Sequence, residues 1–193
     1  MLIKSRRTQD ERRTATRQAL VAAARALFVE RGYAQTSTPE VATAAKVTRG
    51  ALYHHFTDKQ ALLHAVLSEE LADVQRAIDA ATPPTKTAHE ALVAGSVAYL
   101  DAMAVTGRTR LLLVDGPAVL GHAAMRALDE ASAAGSLREG LAAALGDGPT
   151  ISALADLLSA AFDQAALAVS TGADAGAYRA AMIMLIERVV TRA

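Results

Sequence analysis

Apolar residues recur three and four positions apart along almost the whole of this 193-residue chain, and no stretch alternates with the period of two expected for a half-buried strand. Side chains at i, i+3, i+4 and i+7 share one face of an α-helix, so the pattern calls for helices that bury stripes against one another. Leu20, Ala23, Ala24, Leu27 and Phe28 make one such stripe. Leu62, Leu63, Val66, Leu67, Leu71, Val74 and Ile78 make a longer one. Alanine is the commonest residue, glycine and proline are sparse, and hydrophobic residues reach 52% against 21% charged, which supports both helix formation and a sizeable core. The expected fold class is all-α, with about nine helices.

Stop and start signals divide the pattern. A first helix over about 8–31 ends at Gly32. Ser37 and Glu40, three apart, form a capping box for a short second helix, with Pro39 in its first turn. Thr48 is an N-cap for a third helix reaching Phe56, and Asp58 for a long fourth one that Thr82-Pro83-Pro84-Thr85 ends. Beyond the prolines, helices are expected over about 89–106 and 108–114. A turn at Asp115-Gly116-Pro117 should start another, with an interruption near Gly135-Ser136. A stop at 146–149 precedes two closing helices over about 150–170 and 174–192. This divides the chain into an N-terminal domain, 1–57, with a basic arm, and a helical domain, 58–193.

Composition removes several classes of function. With no cysteine there is no disulfide, thiol nucleophile or thiolate metal site. No phosphate loop, G-x-S-x-G or HExxH spacing occurs, and His64, His89 and His122 fall on different helices, so neither an enzyme nor a metal or other cofactor is expected. The opening MLIKSRR does not lead into an apolar run, and uncharged stretches such as 91–100 are shorter than the roughly 18 residues of a membrane span. The expectation is a cytoplasmic protein without membrane contact.

Charge is unevenly placed. Residues 1–60 hold 11 Lys and Arg against 5 Asp and Glu, a net +6, and residues 61–193 hold 9 against 15, a net −6. A basic part of this kind suits a polyanion. Two short helices joined by a tight turn form a helix-turn-helix, whose second helix enters the DNA major groove. Val41, Ala42, Val47, Leu52 and Phe56 are the apolar residues that would lock the pair. Thr48, Arg49, Gly50 and Ala51 form the first turn of the second helix. There Arg49 can donate two hydrogen bonds to guanine, and the small residues permit close approach. Tyr53, His54, His55 and Lys59 can donate to phosphates. His54 and His55 project about 100° apart, which does not suit chelation. The arm carrying Lys4, Arg6, Arg7, Arg12, Arg13 and Arg17 is either a solvated tail or an accessory DNA contact.

The residues that carry this pattern also carry a family resemblance. Ala26-Leu27-Phe28, Gly32-Tyr33, Thr36-Ser37, Val41-Ala42, Ala45, Val47-Thr48, Leu52-Tyr53, His55-Phe56, Lys59 and Leu62 resemble the DNA-binding domain of the TetR family of bacterial transcriptional regulators over residues 12–67. The resemblance implies an all-helical homodimer that binds double-stranded DNA at a palindromic operator. Its DNA-binding set would be Thr36, Ser37, Lys46, Thr48, Arg49, Gly50, Ala51, Tyr53, His54, His55 and Lys59. Lys46 stands where the family has glycine in the turn. The implied function is a repressor released by a small-molecule effector, with an unknown, largely apolar ligand. Tyr99, Met103, Asp115, His122 and Met125 are the candidates for the effector site, because they set hydrogen-bonding or adaptable side chains among aliphatic helices. Asp163-Gln164 is either a pocket contact or an interface pair. Leu154, Leu158, Phe162, Met182 and Ile186 on the closing helices are the candidates for the dimer interface. The competing reading is a helical carrier or structural bundle with no DNA function.

Overall fold

The structure is a computed structural model that describes residues 8–130 and 132–191. It is built of helices, α1 (Gln9–Arg31), α2 (Thr38–Ala44), α3 (Arg49–His55), α4 (Lys59–Ala81), α5 (Ala88–Met103), α6 (Arg108–Arg110), a π-helical turn (Leu111–Asp115), α7 (Gly116–Leu120), α8 (His122–Glu130), α9 (Ala133–Leu145), α10 (Pro149–Ser170) and α11 (Ala175–Thr191). The chain divides into two compact units between Val66 and Leu67, inside α4.

In the first unit, each helix start has its own cap. Thr8 and Glu11 bond reciprocally at the start of α1, and Ser37 and Glu40 do so at α2. The Thr48 hydroxyl accepts from Ala51 N–H at 3.1 Å, and the Asp58 carboxylate accepts from Ala61 N–H at 2.7 Å. Capping contributes about 1 kcal/mol per site and fixes where short helices begin. Leu20, Phe28, Val41, Leu52 and Leu62 are fully enclosed, and Phe56 is buried beside them in sequence. Between α2 and α3, Lys46 N–H donates to Thr43 O at 3.0 Å and Val47 N–H to Ala42 O at 3.0 Å. These are the two bonds of a Schellman motif, which needs a left-handed residue at its centre. Lys46 supplies it with φ +56°, and it is the only non-glycine residue with positive φ among those described. The turn therefore keeps its geometry although a lysine occupies the glycine position.

In the second unit, α5, α9, α10 and α11 pack together. Their shared core contains Leu92, Leu141, Leu158, Phe162, Met182 and Ile186, with Leu154 packed against it. This corrects the expected dimer face: four of its five candidates are core residues of the single chain. The periodicity was right, but α10 has apolar side chains on two faces, and spacing alone does not say which face turns inward. By length and composition α10 is also apolar enough to cross a membrane. Here Leu158, Phe162 and Ala165 are part of the core.

Two boundaries differ from the expected ones. Asp115-Gly116-Pro117 is not a turn. Gly116 N–H bonds to Leu111 O across five residues, so a wide π-turn feeds into α7, and Pro117 sits in the first turn of α7, where its missing donor is harmless. A β-carbon on Gly116 would lie 2.9 Å from Met125 Sδ, so glycine is required there for packing rather than for a turn. The break comes at Gly121, with φ +83°. The later helix begins at Ala133, ahead of the interruption expected near 135–136. Ser132 caps α9 and Gly135 lies within that helix, where a β-carbon would come 2.4 Å from Glu130 O.

Arg108 is buried, with its guanidinium donating to Glu70 at 2.6 Å, to Ala102 O at 2.8 Å and to Asp73 at 3.1 Å. Each of its three nitrogens finds an acceptor, two of them carboxylates, the kind of pairing under which a buried charge is tolerated.

A left-handed lysine carries strain of about 1–2 kcal/mol, partly offset because glycine loses more entropy on folding. Lys46→Gly should raise the unfolding free energy by up to about 1 kcal/mol, seen as a higher urea midpoint at an unchanged slope.

Candidate nucleic-acid interface

The first turn of α3 is exposed at Thr48, Arg49 and Gly50, with Ala51 half-buried behind them. A β-carbon added to Gly50 would meet nothing closer than Thr48 Oγ1 at 3.9 Å. No internal contact requires glycine there, so its effect is to lower the outer surface. One turn on, Tyr53 is 48% exposed, and its hydroxyl lies 3.0 Å from Thr38 Oγ1. That bond, helped by Arg49, holds the phenol below its ordinary range and ties α3 to the start of α2. Thr38 was absent from the expected set because its partner is fifteen positions away, beyond any local spacing rule.

The two histidines differ. His54 is exposed and His55 is half-buried, with the ring planes edge-on and centroids 5.7 Å apart. Burial first, then the charges of His54, Arg13 and Arg17, push His55 below the usual histidine range. The shift favours its neutral form, which offers a hydrogen bond and no cation. The Arg17 guanidinium sits 5.3 Å above the Phe56 ring. Arg12 and Arg13 are exposed on α1, while Lys4, Arg6 and Arg7 lie outside the described residues.

Two members of the expected DNA-binding set have internal roles. Thr36 is 2% exposed, and its hydroxyl lies 2.9 Å from Gly32 O and 3.3 Å from Leu27 O. It closes the end of α1. Lys59 points its ammonium at Tyr33 O at 2.9 Å, Thr36 O at 3.0 Å and Ala34 O at 3.4 Å, above the Tyr33 ring at 4.2 Å. Its three hydrogens already have acceptors, so its role is to hold the loop between α1 and α2. Ser37 stays exposed but serves as the α2 cap. Lys46, Thr48, Arg49, Gly50, Tyr53 and His54 remain together on the exposed side of the turn and α3.

The second unit holds a cavity of about 290 Å³ that opens to solvent, the small end of the range for ligand sites. Of the five expected effector residues only Tyr99 lines it, and the structure does not bring the others to it. Met103 lines a separate cleft of about 670 Å³. Asp115 faces Arg110 at 3.4 Å, His122 is exposed, and Met125 packs against Gly116. The wall opposite Tyr99 carries Phe162 and Asp163, and Tyr99 donates to Asp163 at 2.6 Å. Burial raises the Asp163 pKa, and burial together with the Asp163 charge raises Asp129 to about 6.

A compact helix-turn-helix head with an exposed basic first turn, followed by a helical unit that holds a cavity, is the architecture of a helix-turn-helix regulator. Residues 20–66 match the family model described as bacterial regulatory proteins of the tetR family, and residues 89–192 match that of the tetracyclin repressor-like C-terminal domain. The chain belongs to the TetR family. A TetR-family transcriptional regulator from Pectobacterium atrosepticum superposes with a TM-score of 0.70 at 31% identity, covering 95% of this chain and 96% of that one. The Transposon Tn10 TetC protein of Escherichia coli is 43% identical over 77 residues, and the transcriptional repressor DhaR of a Mycobacterium is 39% identical over 79. Those matches cover 40% and 38% of this chain, and they span 39% and 40% of the two relatives.

Hydrogen bonds to a charged group contribute about 1.5–3 kcal/mol. Lys59→Met should therefore lower the stability of the head by about 2–3 kcal/mol while leaving the salt dependence of DNA binding unchanged. A decrease of about one in that slope would return Lys59 to the phosphate-contacting set.

Proposed function

We propose that this chain is a ligand-responsive transcriptional repressor that binds a near-palindromic operator as a homodimer and leaves it when an effector occupies the second unit. The observation that carries the reading is the exposed first turn of α3, where Arg49 stands beside the small, open Gly50 on a doubly capped helix-turn-helix. Arg49 reads guanine, while Lys46, Tyr53 and His54 fix position on the backbone. A two-fold dimer sets two such helices about 34–36 Å apart, one turn of DNA. The family supports both DNA binding and response to a ligand.

For the dimer, the support comes from what α10 and α11 leave outside. Leu157 is 70% exposed, Met184 55% and Leu185 43%. Ala153, Ala160 and Gln164 share the exposed side of α10 with Leu157, a low surface that lets a second copy approach closely. For release, the effector must bind the DNA-incompetent state more tightly. Moving a population from 1:99 to 99:1 takes roughly 5.5 kcal/mol of differential affinity.

Operator selection from random duplexes followed by salt titration tests DNA binding, and affinity that does not fall with salt would exclude it. Arg49→Ala should lose about 1–3 kcal/mol and relax preference at one G·C position per half-site. Uniform weakening over all sequences would make Arg49 a phosphate contact instead. Leu157→Glu should yield a folded monomer with much weaker operator binding, measured by sedimentation. A dimeric Leu157→Glu protein would move the interface elsewhere.

A further inference from the structure

The cavity of the second unit carries a charge pattern that the general reading leaves unexplained. Four carboxylates line it, Asp79 from α4, Asp129 from α8, Glu139 from α9 and Asp163 from α10, and among the described residues no lysine, arginine or histidine does. Asp79 and Glu139 are exposed, so they stand where the cavity meets solvent, and Gln75 donates to Asp79 at 2.7 Å. Asp129 and Asp163 are not exposed. The neighbouring Arg138 is turned away, bonded to Glu130 and Asp156. Among the described residues no ion pair reaches Asp129 or Asp163, and the partners recorded for them are neutral: Tyr99 O–H for Asp163 and Ala134 N–H for Asp129. Between the carboxylates, Phe162, packed edge-on to Tyr99 at 5.5 Å, gives the wall an apolar part with Leu92 and Ile78, and Thr82, Ser96, Ser136 and Ser159 add hydroxyl groups.

We propose that this cavity binds an organic cation, a protonated amine on an apolar, aromatic-sized body, with its charge held by Asp129 and Asp163 and its hydrocarbon against Phe162, Tyr99 and Leu92. The inference deepens the reading of this unit as the effector domain and rests on it for its regulatory meaning. The chemistry follows from desolvation. Two carboxylates removed from water without a cation repel one another, and a bound ammonium group relieves both costs. Aromatic faces add attraction for the same charge. A volume of about 290 Å³ suits a ligand of fragment size. An anionic ligand would meet four like charges. Asp129, at about 6, loses its charge in mild acid, so affinity for a cation should fall as pH drops through that value, with Asp79, Glu139, Asp163 and Tyr99 as the other titratable groups around it.

The test is calorimetry on the full chain, without DNA, using three ligands of one shape: 2-naphthylmethylammonium, 2-naphthylmethanol and 2-naphthoate. The ammonium should bind at least about tenfold more tightly than the alcohol, the size of one charge-assisted hydrogen bond, and the carboxylate should not bind. Asp129→Asn and Asp163→Asn should each remove about tenfold from the ammonium and leave the alcohol unchanged. Both amides keep an acceptor for their neutral partners, so helical content and melting check that the fold persists. Equal binding of ammonium and alcohol, preference for naphthoate, or no ammonium binding below about 1 mM would overturn the proposal. So would an ammonium preference that survives in both variants. A parallel operator-binding assay separates the two readings. Ammonium binding without loss of DNA affinity would keep the cation site and remove the switch. Release of DNA by the alcohol or naphthoate alone would keep the switch and remove the cation site.

Discussion

The head of this protein depends on one ammonium group. Lys59 is the first residue of α4, and its three donors reach back to the carbonyls of Tyr33, Ala34 and Thr36. Those carbonyls lie in the connection between α1 and α2, where helix bonds have ended and the next helix has not begun. Apart from Thr36 N–H, which reaches Tyr33 O at 3.3 Å, it is the Lys59 ammonium that donates to them, and without it water would have to do so. The bonds that Lys59 supplies fix the loop, the loop fixes the Ser37 cap, and the cap fixes where α2 starts. Thr38 in that first turn then holds the Tyr53 hydroxyl on α3. A chain of local bonds thus leads from one lysine to the orientation of the helix that presents Arg49.

Features set by neighbours in sequence were legible. The Ser37–Glu40 box and the Thr48 and Asp58 caps follow from spacings of three residues, the glycine-type position of Lys46 came from the family resemblance, and the all-helical class followed from the repeat of apolar residues. Features set by distant partners were not. Thr36 and Lys59 look like polar residues available to DNA, yet their acceptors lie up to 26 positions away and consume them. Phe162 and Ile186 have the spacing of an interface stripe, but burial depends on which face of α10 or α11 meets α5 and α9. Asp129 sits in an ordinary helical sequence, and only the fold sets it opposite Asp163.

The two units use charge in opposite ways. In the head, the basic groups of the first turn of α3 are outside, the half-buried Lys59 ammonium is met by three carbonyls, and the surroundings of the half-buried His55 favour its neutral form. In the second unit, acidic groups turn inward, and the fold keeps them there at a cost in desolvation. A fold that keeps Asp129 and Asp163 partly buried with only neutral partners gives up stability that an uncharged side chain would restore. That sacrifice is intelligible where occupancy of the cavity matters more than the stability of the empty state.

The Arg108 cluster gives the second unit an unusual response to heat. Its guanidinium joins α4, through Glu70 and Asp73, to the end of α5, through Ala102 O, at the point where α6 begins. Charged groups are hydrated with a large loss of water entropy, so withdrawing them from solvent becomes less unfavourable as temperature rises, while apolar burial gains little more. This corner therefore weakens less on warming than the alanine-rich packing of α9, α10 and α11 around it. Thermal softening should begin in those closing helices and reach the junction of α4, α5 and α6 last.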